Sequence, residues 1–303
     1  MNKKTDAIII IAAFAVLAAI LGIMIAIIRK TKPEPVAPAP EPVVIETVHG
    51  DGFDMDYFKF GHGEQSMVIL PGASVKSVML SGDAVAAAYS QFSEKYTVYV
   101  FDVTSRLAEG FTIADMAGDT AQAMTQLGIT GADVFGCSLG GMMAQDIAVN
   151  HPELVHKLAL GSTLSRQSEI STATVGNWYR LASDSDAAAL NRDVFSKVYS
   201  PSFYEQYADV FASMENDATP EELLRFKYFV AACGSFDIYD RLDAITCPVL
   251  VIGSWDDATL SGESCVEIAE KLRCELFMYR GYGHAVYDEA PDYKQHLLDF
   301  FAE

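Results

Sequence analysis

The sequence predicts an α/β fold in which helices cover both faces of a mostly parallel sheet, preceded by one transmembrane helix. Three observations lead to this prediction. Short apolar runs alternate with helical stretches along most of the chain, which is typical of parallel strands joined by helical crossovers. Apolar residues make up 50% of the 303 residues, enough to bury a large core. One long, uncharged apolar run stands near the N-terminus.

Six of the short runs are interpreted as strands, because each is rich in apolar residues and a helical stretch separates most of them from the next. They comprise residues 66–70, 96–101, 133–136, 154–160, 248–252 and 275–279. The chain contains no internal repeat that would indicate a solenoid or a propeller. One α/β sheet with an insertion accounts for its length.

The N-terminal region divides into three parts ahead of the globular domain predicted at 44–303. Residues 1–6 form a basic flank, residues 7–28 an apolar run, and residues 29–43 a proline-rich linker. At about 1.5 Å per residue, a helix over the apolar run is long enough to cross a bilayer. Cleaved signal peptides have a shorter apolar region and a small-residue cleavage site, so this run is interpreted as an uncleaved, single-pass anchor.

The linker gives the only indication of the side of the membrane on which the domain lies. Basic residues flank the apolar run almost evenly, so the positive-inside bias does not decide the orientation. The alternating prolines at 33–42 favour an extended spacer. This spacer resembles those that carry domains outside the cytoplasmic membrane, and we therefore expect an extracytoplasmic domain.

The segment Gly-Cys-Ser-Leu-Gly at 136–140 is the strongest functional signal in the chain. An apolar run leads into it and an alanine- and methionine-rich helical pattern leads out, so Ser138 lies on a sharp turn from strand to helix. Glycines two places before and after the serine let the strand and the helix pass close together. The turn also places the serine at a helix N-terminus, which favours an anion beside it. An ordinary glycine-lined turn is the alternative, and the flanking pattern favours a nucleophilic serine.

A serine hydroxyl is a weak nucleophile at neutral pH and requires a histidine to accept its proton. Of the six histidines, only His284 lies in a loop directly after a late apolar run. That loop falls at the carboxyl end of a predicted strand, where α/β sheets bind their ligands. The remaining histidines fit packing, capping or surface positions: His49, His62, His151, His156 and His296.

The histidine in turn requires a carboxylate to orient it. The run at 248–252 leads through Gly, Ser and Trp to two neighbouring acids, Asp256 and Asp257. The residues after them are typical of a loop and the beginning of a helix, which favours Asp257 as the acid. Asp256 is the alternative, and without the serine and the histidine both would fit a solvated turn.

Serine, acid and histidine follow one another in the order Ser138, Asp257, His284, and the sequence resembles the α/β-hydrolase family. The resemblance covers roughly residues 44–303. It rests on the serine turn, on the Gly-Ser-Trp-Asp-Asp segment and on the Gly-Tyr-Gly-His loop. It implies the α/β-hydrolase fold and a serine hydrolase with a cap insertion.

The resemblance also implies two backbone amides that bind the oxyanion of a tetrahedral intermediate. One is the amide of Leu139, directly after the serine. The other belongs to the loop after residues 66–70, where Ala73 takes the position of the family's second donor. Pro71 stands where the family more often has histidine, a departure that leaves the amide itself in place.

The stretch between the fourth and fifth predicted strands is too long for a simple crossover. From about 164 to 245 it shows helical periodicity and many aromatic residues. Its position places it over the carboxyl ends of the strands, and we interpret it as a cap that shapes the substrate site. Most of its aromatic residues are expected to form the core of the cap itself.

Together these features predict a serine hydrolase that cleaves a small carboxylic ester or a related acyl compound through an acyl-enzyme. An acyltransferase, a thioesterase, an amidase or a peptidase uses the same triad, and the sequence does not distinguish among them. A non-catalytic, ligand-binding receptor of the same fold is the alternative from another class. The presence of all three triad members favours the enzyme.

Composition and spacing exclude several other functions. The formal net charge of −20 makes nucleic acid a poor partner. The sequence has neither a His/Cys cluster with zinc spacing nor a phosphate-binding loop followed by lysine, so we expect no metal and no other cofactor. The five cysteines show no disulfide spacing and are interpreted as small apolar residues. The predicted partners are a small acyl substrate and, through the N-terminal helix, a membrane.

Overall fold

The computed structural model describes residues 42–303. The predicted basic flank, the anchor at 7–28 and all but the end of the linker lie outside the described residues. Among residues 42–303, no helix combines the length and the apolar character needed to cross a bilayer. Val43, the last residue of the predicted linker, already contacts the domain, because its amide donates a hydrogen bond to Asp83 at 2.8 Å.

Eight strands form one sheet. They are β1 (Ile45–His49), β2 (Asp54–Phe60), β3 (Gln65–Leu70), β4 (Tyr96–Phe101), β5 (Ala132–Cys137), β6 (Val155–Gly161), β7 (Val249–Ser254) and β8 (Glu275–Tyr279). Their spatial order is β1-β2-β4-β3-β5-β6-β7-β8. β2 pairs antiparallel with β1 and β4, whereas all other neighbours are parallel. The mostly parallel sheet is thus confirmed, and β1 and β2 are added at its edge to the six strands predicted.

Helices alternate with the strands from β3 onward. Those described within residues 42–303 are α1 (Gly82–Ala88), α2 (Ile113–Gln126), α3 (Leu139–Asn150), α4 (Glu169–Ser183), α5 (Ala187–Val198), α6 (Pro201–Gln206), α7 (Ala208–Met214), α8 (Pro220–Gly234), α9 (Gly262–Leu272), α10 (Val286–Glu289) and α11 (Tyr293–Ala302). Helices α4 to α8 all fall between β6 and β7, and we call them the helical segment (residues 169–234).

Alternate residues of the central strands point into two separate cores. In β5, Val134 packs on the face covered by α2 and α3, whereas Phe135 packs on the opposite face with Tyr293 of α11. All residues of β5 and β7 are buried, as expected for strands that are covered on both faces. The prediction that helices cover both faces of the sheet is therefore confirmed.

Local sequence explains where several helices begin. Capping boxes stand at the beginning of α2, α4 and α8. In each, the side chain of the N-cap residue (Thr112, Ser168 or Thr219) accepts a hydrogen bond from the backbone amide three residues later. The side chain of that later residue in turn accepts a hydrogen bond from the backbone amide of the N-cap residue. Each box satisfies amide groups that have no partner within the helix. Local sequence thus fixes where the first and the last helix of the helical segment begin.

The order of the strands positions the candidate site. β3, β5, β6, β7 and β8 lie side by side and run parallel, so their carboxyl ends meet at one edge of the sheet. The loops that follow β3, β5, β7 and β8 carry, in that order, Ala73, Ser138, Asp257 and His284. The fold therefore brings to one edge residues that are far apart along the chain.

Candidate active site

Ser138 stands on a strained turn between β5 and α3. Its φ is 53° and its ψ −122°, a conformation that residues other than glycine rarely adopt. A Cβ atom on Gly140 would lie 1.9 Å from the Leu70 carbonyl oxygen, and one on Gly136 would lie 2.4 Å from the Gly140 carbonyl oxygen. Only glycine fits at these two positions, because the strand and the helix pass in direct contact.

Hydrogen bonds from the neighbouring strand fix this turn. The Ser138 amide donates to the Gly161 carbonyl oxygen at 2.9 Å, and the Thr163 hydroxyl donates to the Ser138 carbonyl oxygen at 2.8 Å. The backbone on both sides of the serine is therefore bonded to β6 or to the residues directly after it. This arrangement holds the strained turn in place without using the serine hydroxyl.

His284 and Asp257 form a buried pair. The Nδ1 atom of His284 lies 2.7 Å from Oδ2 of Asp257, and only 2% of the histidine and 4% of the aspartate is exposed. The other carboxylate oxygen, Oδ1, accepts hydrogen bonds from the amides of Thr259 and Leu260 at 2.7 and 2.9 Å. The aspartate is thus oriented by its own turn, with Oδ2 directed at the histidine.

Asp256, the alternative acid, faces elsewhere. It is exposed, and its Oδ2 atom accepts a hydrogen bond from the Gly281 amide at 2.7 Å. It braces the loop that carries His284 but does not contact the imidazole. The structure places Asp257, and not Asp256, against the histidine.

The two predicted oxyanion donors flank the serine. Leu139 is the first residue of α3 and follows Ser138 directly. A Cβ atom on Gly72 would lie 3.0 Å from the Ser138 Cβ atom, so the loop after β3 passes close to the serine. Ala73, the next residue of that loop, lines the same cavity as Ser138.

A cavity of about 390 Å³ joins these groups. Ser138, His284 and Ala73 lie on its sheet side, and the helical segment provides the opposite wall. The residues contributed by that segment are Trp178, Asn191, Val194, Phe195, Val198, Tyr199, Met214 and Asp217. The cavity is therefore polar at the serine and mostly apolar and aromatic beneath the helices.

Comparison with known proteins identifies the family. Residues 48–293 match the model of the Alpha/beta hydrolase family. The chain belongs to the α/β-hydrolase family. The family and the names of its relatives show that the protein is a hydrolase.

Two relatives illustrate the range of this family. A protein of Stutzerimonas stutzeri named carbamate hydrolase RutD is 26% identical over 249 residues, which cover 75% of this chain and 91% of that protein. The 3-oxoadipate enol-lactonase 2 of Acinetobacter baylyi is 20% identical over 220 residues, 70% of this chain and 79% of the enzyme.

Solved structures of similar proteins share the fold. MGS-M2, an α/β-hydrolase enzyme from a Medee basin deep-sea metagenome library, superposes with a TM-score of 0.76 at 21% identity, over 85% of this chain and 98% of its own. The enol-lactonase from Burkholderia xenovorans LB400 gives a TM-score of 0.75 at 18% identity, over 85% and 100% of the two chains. At these identities the likeness shows the α/β-hydrolase fold alone.

In this α/β hydrolase, Glu289 holds the histidine loop to the helical segment. Its Oε1 atom accepts from the amides of Gly283 at 3.0 Å and of Ser200 at 2.9 Å, and its Oε2 atom accepts from the Ser200 hydroxyl at 2.5 Å. The Ala285 amide adds a bond to the Val198 carbonyl oxygen at 2.8 Å. The sequence analysis missed this role, since the only signal is an acid a few residues after the histidine.

A thiol and two phenols near Ser138 remain protonated at neutral pH. Burial raises the pKa of the Cys137 thiol, directly before the serine, to about 12. Burial also raises the pKa of the Tyr89 and Tyr287 hydroxyls well above the ordinary value. Cys137 is therefore a poor competitor for Ser138 as a nucleophile, because thiols react as thiolates.

The described residues offer no obvious metal centre. Among residues 42–303, His, Cys, Asp and Glu side chains do not form a group of three or more that could hold an ion. His284, bonded to Asp257, instead lines the same cavity as Ser138. The groups that the site does present are a hydroxyl, an imidazole–carboxylate pair and two backbone amides.

Proposed function

We propose that the protein is a serine hydrolase that cleaves a small carboxylic ester or a related acyl compound through an acyl-enzyme. The observation that carries this proposal is the 2.7 Å contact between His284 Nδ1 and Asp257 Oδ2 on the wall of the cavity that contains Ser138. An imidazole held by its Nδ1 atom leaves Nε2 free to act as a base. This is the arrangement that serine acyl transfer requires.

The proposed reaction has two halves. In the first, the Ser138 hydroxyl attacks the substrate carbonyl carbon while His284 Nε2 accepts its proton, and the Leu139 and Ala73 amides stabilise the oxyanion. The leaving alcohol takes that proton as the carbonyl re-forms. In the second half, water attacks the acyl carbonyl carbon and gives a proton to His284 Nε2, which passes it to Ser138 Oγ as the acyl–serine bond breaks and the acid leaves. Asp257 keeps the imidazole oriented and stabilises its cationic form throughout.

The helical segment is proposed to act as a cap that selects the substrate. It covers the cavity from the side opposite the sheet, and rings such as Phe195 and Tyr199 line it. A volume of about 390 Å³ is at the small end of the range typical for ligand pockets, which favours small acyl compounds.

The names of the relatives favour a second group of substrates. One is named for a carbamate and another for an enol-lactone, and both compounds contain a carbonyl carbon bonded to oxygen. The same serine, histidine and oxyanion donors would attack either carbonyl. We propose carbamates and lactones as the alternatives to open-chain esters, to be compared in the same assay.

Covalent labelling tests the nucleophile. The wild-type protein should react with a fluorophosphonate probe, and the label should map to Ser138. Ser138→Ala should abolish labelling, and His284→Ala should slow it strongly. Ser81→Ala is the matched control, because Ser81 lines the same cavity. Labelling that persists in Ser138→Ala, or that is lost in Ser81→Ala alone, would refute the assignment.

The substrate class is tested with p-nitrophenyl esters of increasing acyl length. Short acyl chains should give the highest kcat/KM, since the cavity is small. A lactone and an aryl carbamate of similar size provide the comparison with the relatives' chemistry. A preference for long chains would contradict the proposed small substrate.

Residues 7–28 are proposed to anchor the protein in a membrane with the catalytic domain outside the cytoplasm. The apolar run and its basic flanks support this proposal. The full chain should fractionate with membranes, and a chain that begins at residue 42 should not. A C-terminal reporter that is active only outside the cytoplasm should be active; activity of a cytoplasmic reporter instead would reverse the orientation.

A further inference from the structure

Asp288 is an acid in the catalytic cavity that the proposed mechanism does not use. It belongs to α10, four residues after His284, and it lines the same cavity as Ser138. Its side chain is exposed, as expected for a residue on the wall of a cavity that is open to a ligand. A substrate bound at Ser138 therefore shares its cavity with this carboxylate.

The Asp288 carboxylate lacks a direct counter-ion among the described residues. Within 42–303, no cationic nitrogen lies within 4.0 Å of it. Lys294 acts on it at longer range, but the Lys294 ammonium donates to the Tyr287 carbonyl oxygen at 2.8 Å and lies 5.1 Å from the centre of the Tyr89 ring. A carboxylate on a cavity wall with no cationic partner is available to a ligand that supplies a positive charge.

Aromatic rings surround this end of the cavity. Tyr89, Tyr199 and Tyr287 line it together with Asp288. The face of an aromatic ring attracts a cation, most strongly where water is excluded. Burial raises the pKa of all three tyrosines, so the rings remain uncharged phenols. A carboxylate among tyrosine rings is suited to an ammonium group.

The remaining charges of the cavity favour the same ligand. Its charged lining residues are Lys76, Asp217 and Asp288. The Lys76 ammonium is already paired, with Asp217 at 3.2 Å and with Glu222 at 3.0 Å. The cavity therefore offers an unpaired negative charge and no unpaired lysine or arginine among its described lining residues.

We infer that Asp288 forms an anionic subsite and that the preferred acyl substrate carries an ammonium group, either a protonated amine or a quaternary nitrogen. The ammonium group lies against the Asp288 carboxylate and the tyrosine rings while its carbonyl reaches Ser138. This inference rests on the proposed serine hydrolase function. Burial raises the pKa of Asp288, against the opposing effect of Lys294, so a bound cation would also stabilise its charged form.

Paired substrates of equal shape test the subsite during turnover. One pair carries the charge on the acyl part: the p-nitrophenyl esters of 4-(trimethylammonio)butyrate and of 5,5-dimethylhexanoate. The other carries it on the alcohol: choline and 3,3-dimethylbutyl acetates. In at least one pair, the wild-type kcat/KM should favour the cation by about tenfold or more.

The measured quantity is the ratio of kcat/KM between cation and neutral isostere, so a general loss of activity cancels. Asp288→Asn should reduce the ratio about tenfold, and Asp288→Glu should restore part of it. Asp209→Asn is the control for net charge, because Asp209 lies in the helical segment outside the cavity lining. A ratio near one in both wild-type pairs, or one that Asp288→Asn leaves unchanged, overturns the inference.

Binding separates this inference from the proposed function. Calorimetry with phenyltrimethylammonium, at constant ionic strength, requires no turnover. The wild-type and Ser138→Ala proteins should bind it alike, and Asp288→Asn should bind it several-fold more weakly. If fluorophosphonate labelling fails but this difference remains, only the function is wrong. If labelling succeeds and Asp288→Asn binds phenyltrimethylammonium as the wild type does, only the subsite is wrong.

Discussion

The cavity that contains Ser138 has two walls, which are held in different ways. The sheet wall consists of the loops that follow β3, β5, β7 and β8, and the helical wall consists of the helical segment (residues 169–234). On the sheet wall, backbone contacts position the reactive groups: the strained turn at Ser138 is bonded to β6, and Asp257 accepts two amides of its own turn. On the helical wall, side chains provide most of the attachment. The Arg225 guanidinium bonds the Asp102 carboxylate, and the Lys76 ammonium bonds Glu222.

Side-chain contacts also hold the interior of the helical wall together, where aromatic rings pack on one another. The ring of Phe211 lies 4.8 Å from that of Phe195, 5.1 Å from that of Tyr199 and 5.3 Å from that of Tyr204, measured between centroids. Stacked rings tolerate replacement by other apolar side chains better than a glycine in direct backbone contact does. The comparison teaches that the proposed chemistry depends on positions that cannot vary, whereas the proposed substrate selection depends on positions that can.

The largest effect is expected at the acid. Asp257→Asn should lower kcat by a factor on the order of 10⁴, because an amide cannot hold the imidazole in the required tautomer. Asp256→Asn should cost about tenfold at most, since it weakens only the bond to the Gly281 amide. Steady-state kinetics on one ester compares the two, and a larger loss in Asp256→Asn would contradict the assignment of the acid.

A pair of glycine variants should separate the two walls by stability. Gly140→Ala should lower the free energy of unfolding by about 3 kcal/mol or more, because the new methyl group would meet the Leu70 carbonyl oxygen. Gly176→Ala in α4 should raise it by about 0.5–1 kcal/mol, since nothing lies within 4 Å of the added atom and alanine favours helix. Urea unfolding of both variants checks this, and similar effects would remove the contrast.

The sequence was sufficient for the sheet wall because its signals are local. A serine between two glycines, an acid pair after one strand and a histidine after the next singled out Ser138, the Asp256–Asp257 pair and His284 before any coordinates. The parallel order of β5 to β8 then determines that these loops meet, as the structure shows. The choice between Asp256 and Asp257 remained open, since it depends on the direction of two adjacent side chains within one turn.

The helical wall was predictable only in outline. Its length and periodicity predicted helices, but the contacts of Arg225 and Glu289 join residues far apart in sequence. Such pairs leave no pattern that one sequence can reveal. At the C-terminal end, α10 and α11 are two separate helices. Pro291 lies between them and disfavours a continuous helix.

An intermediate effect is expected at the link between the walls. The Asp102 and Arg225 side chains are only 15% and 24% exposed, so Arg225→Ala leaves a largely buried carboxylate without its cation. The free energy of unfolding should fall by about 1–3 kcal/mol, and proteases should cleave residues 169–234 faster than in the wild type. Arg180→Ala breaks a pair whose members are 61% and 57% exposed and should change stability by less than about 0.5 kcal/mol. Equal proteolysis of the two variants would argue against the link.

The smallest effect depends on pH and tests the second link, between Lys76 and Glu222. Burial alone would raise the pKa of Glu222, but the Thr219 amide and the Lys76 ammonium hold it below 4.5. Because folding lowers the pKa of Glu222, its ionised carboxylate stabilises the folded state. This stabilisation is complete above about pH 4.5 and is lost as the pH falls through the pKa of Glu222 in the folded protein. With 23% of the Glu222 side chain exposed, it should amount to about 0.5 kcal/mol.

Glu222→Gln should therefore unfold at a lower temperature than the wild type at pH 7, and the difference should shrink toward zero by pH 3. The exposed neighbour Glu221, replaced by Gln, provides the control for net charge. A difference that persists at pH 3 would mean that Glu222 contributes through packing. In that case the helical wall would depend on shape at this position, as the sheet wall does at its glycines, and the contrast between the two walls would be weaker.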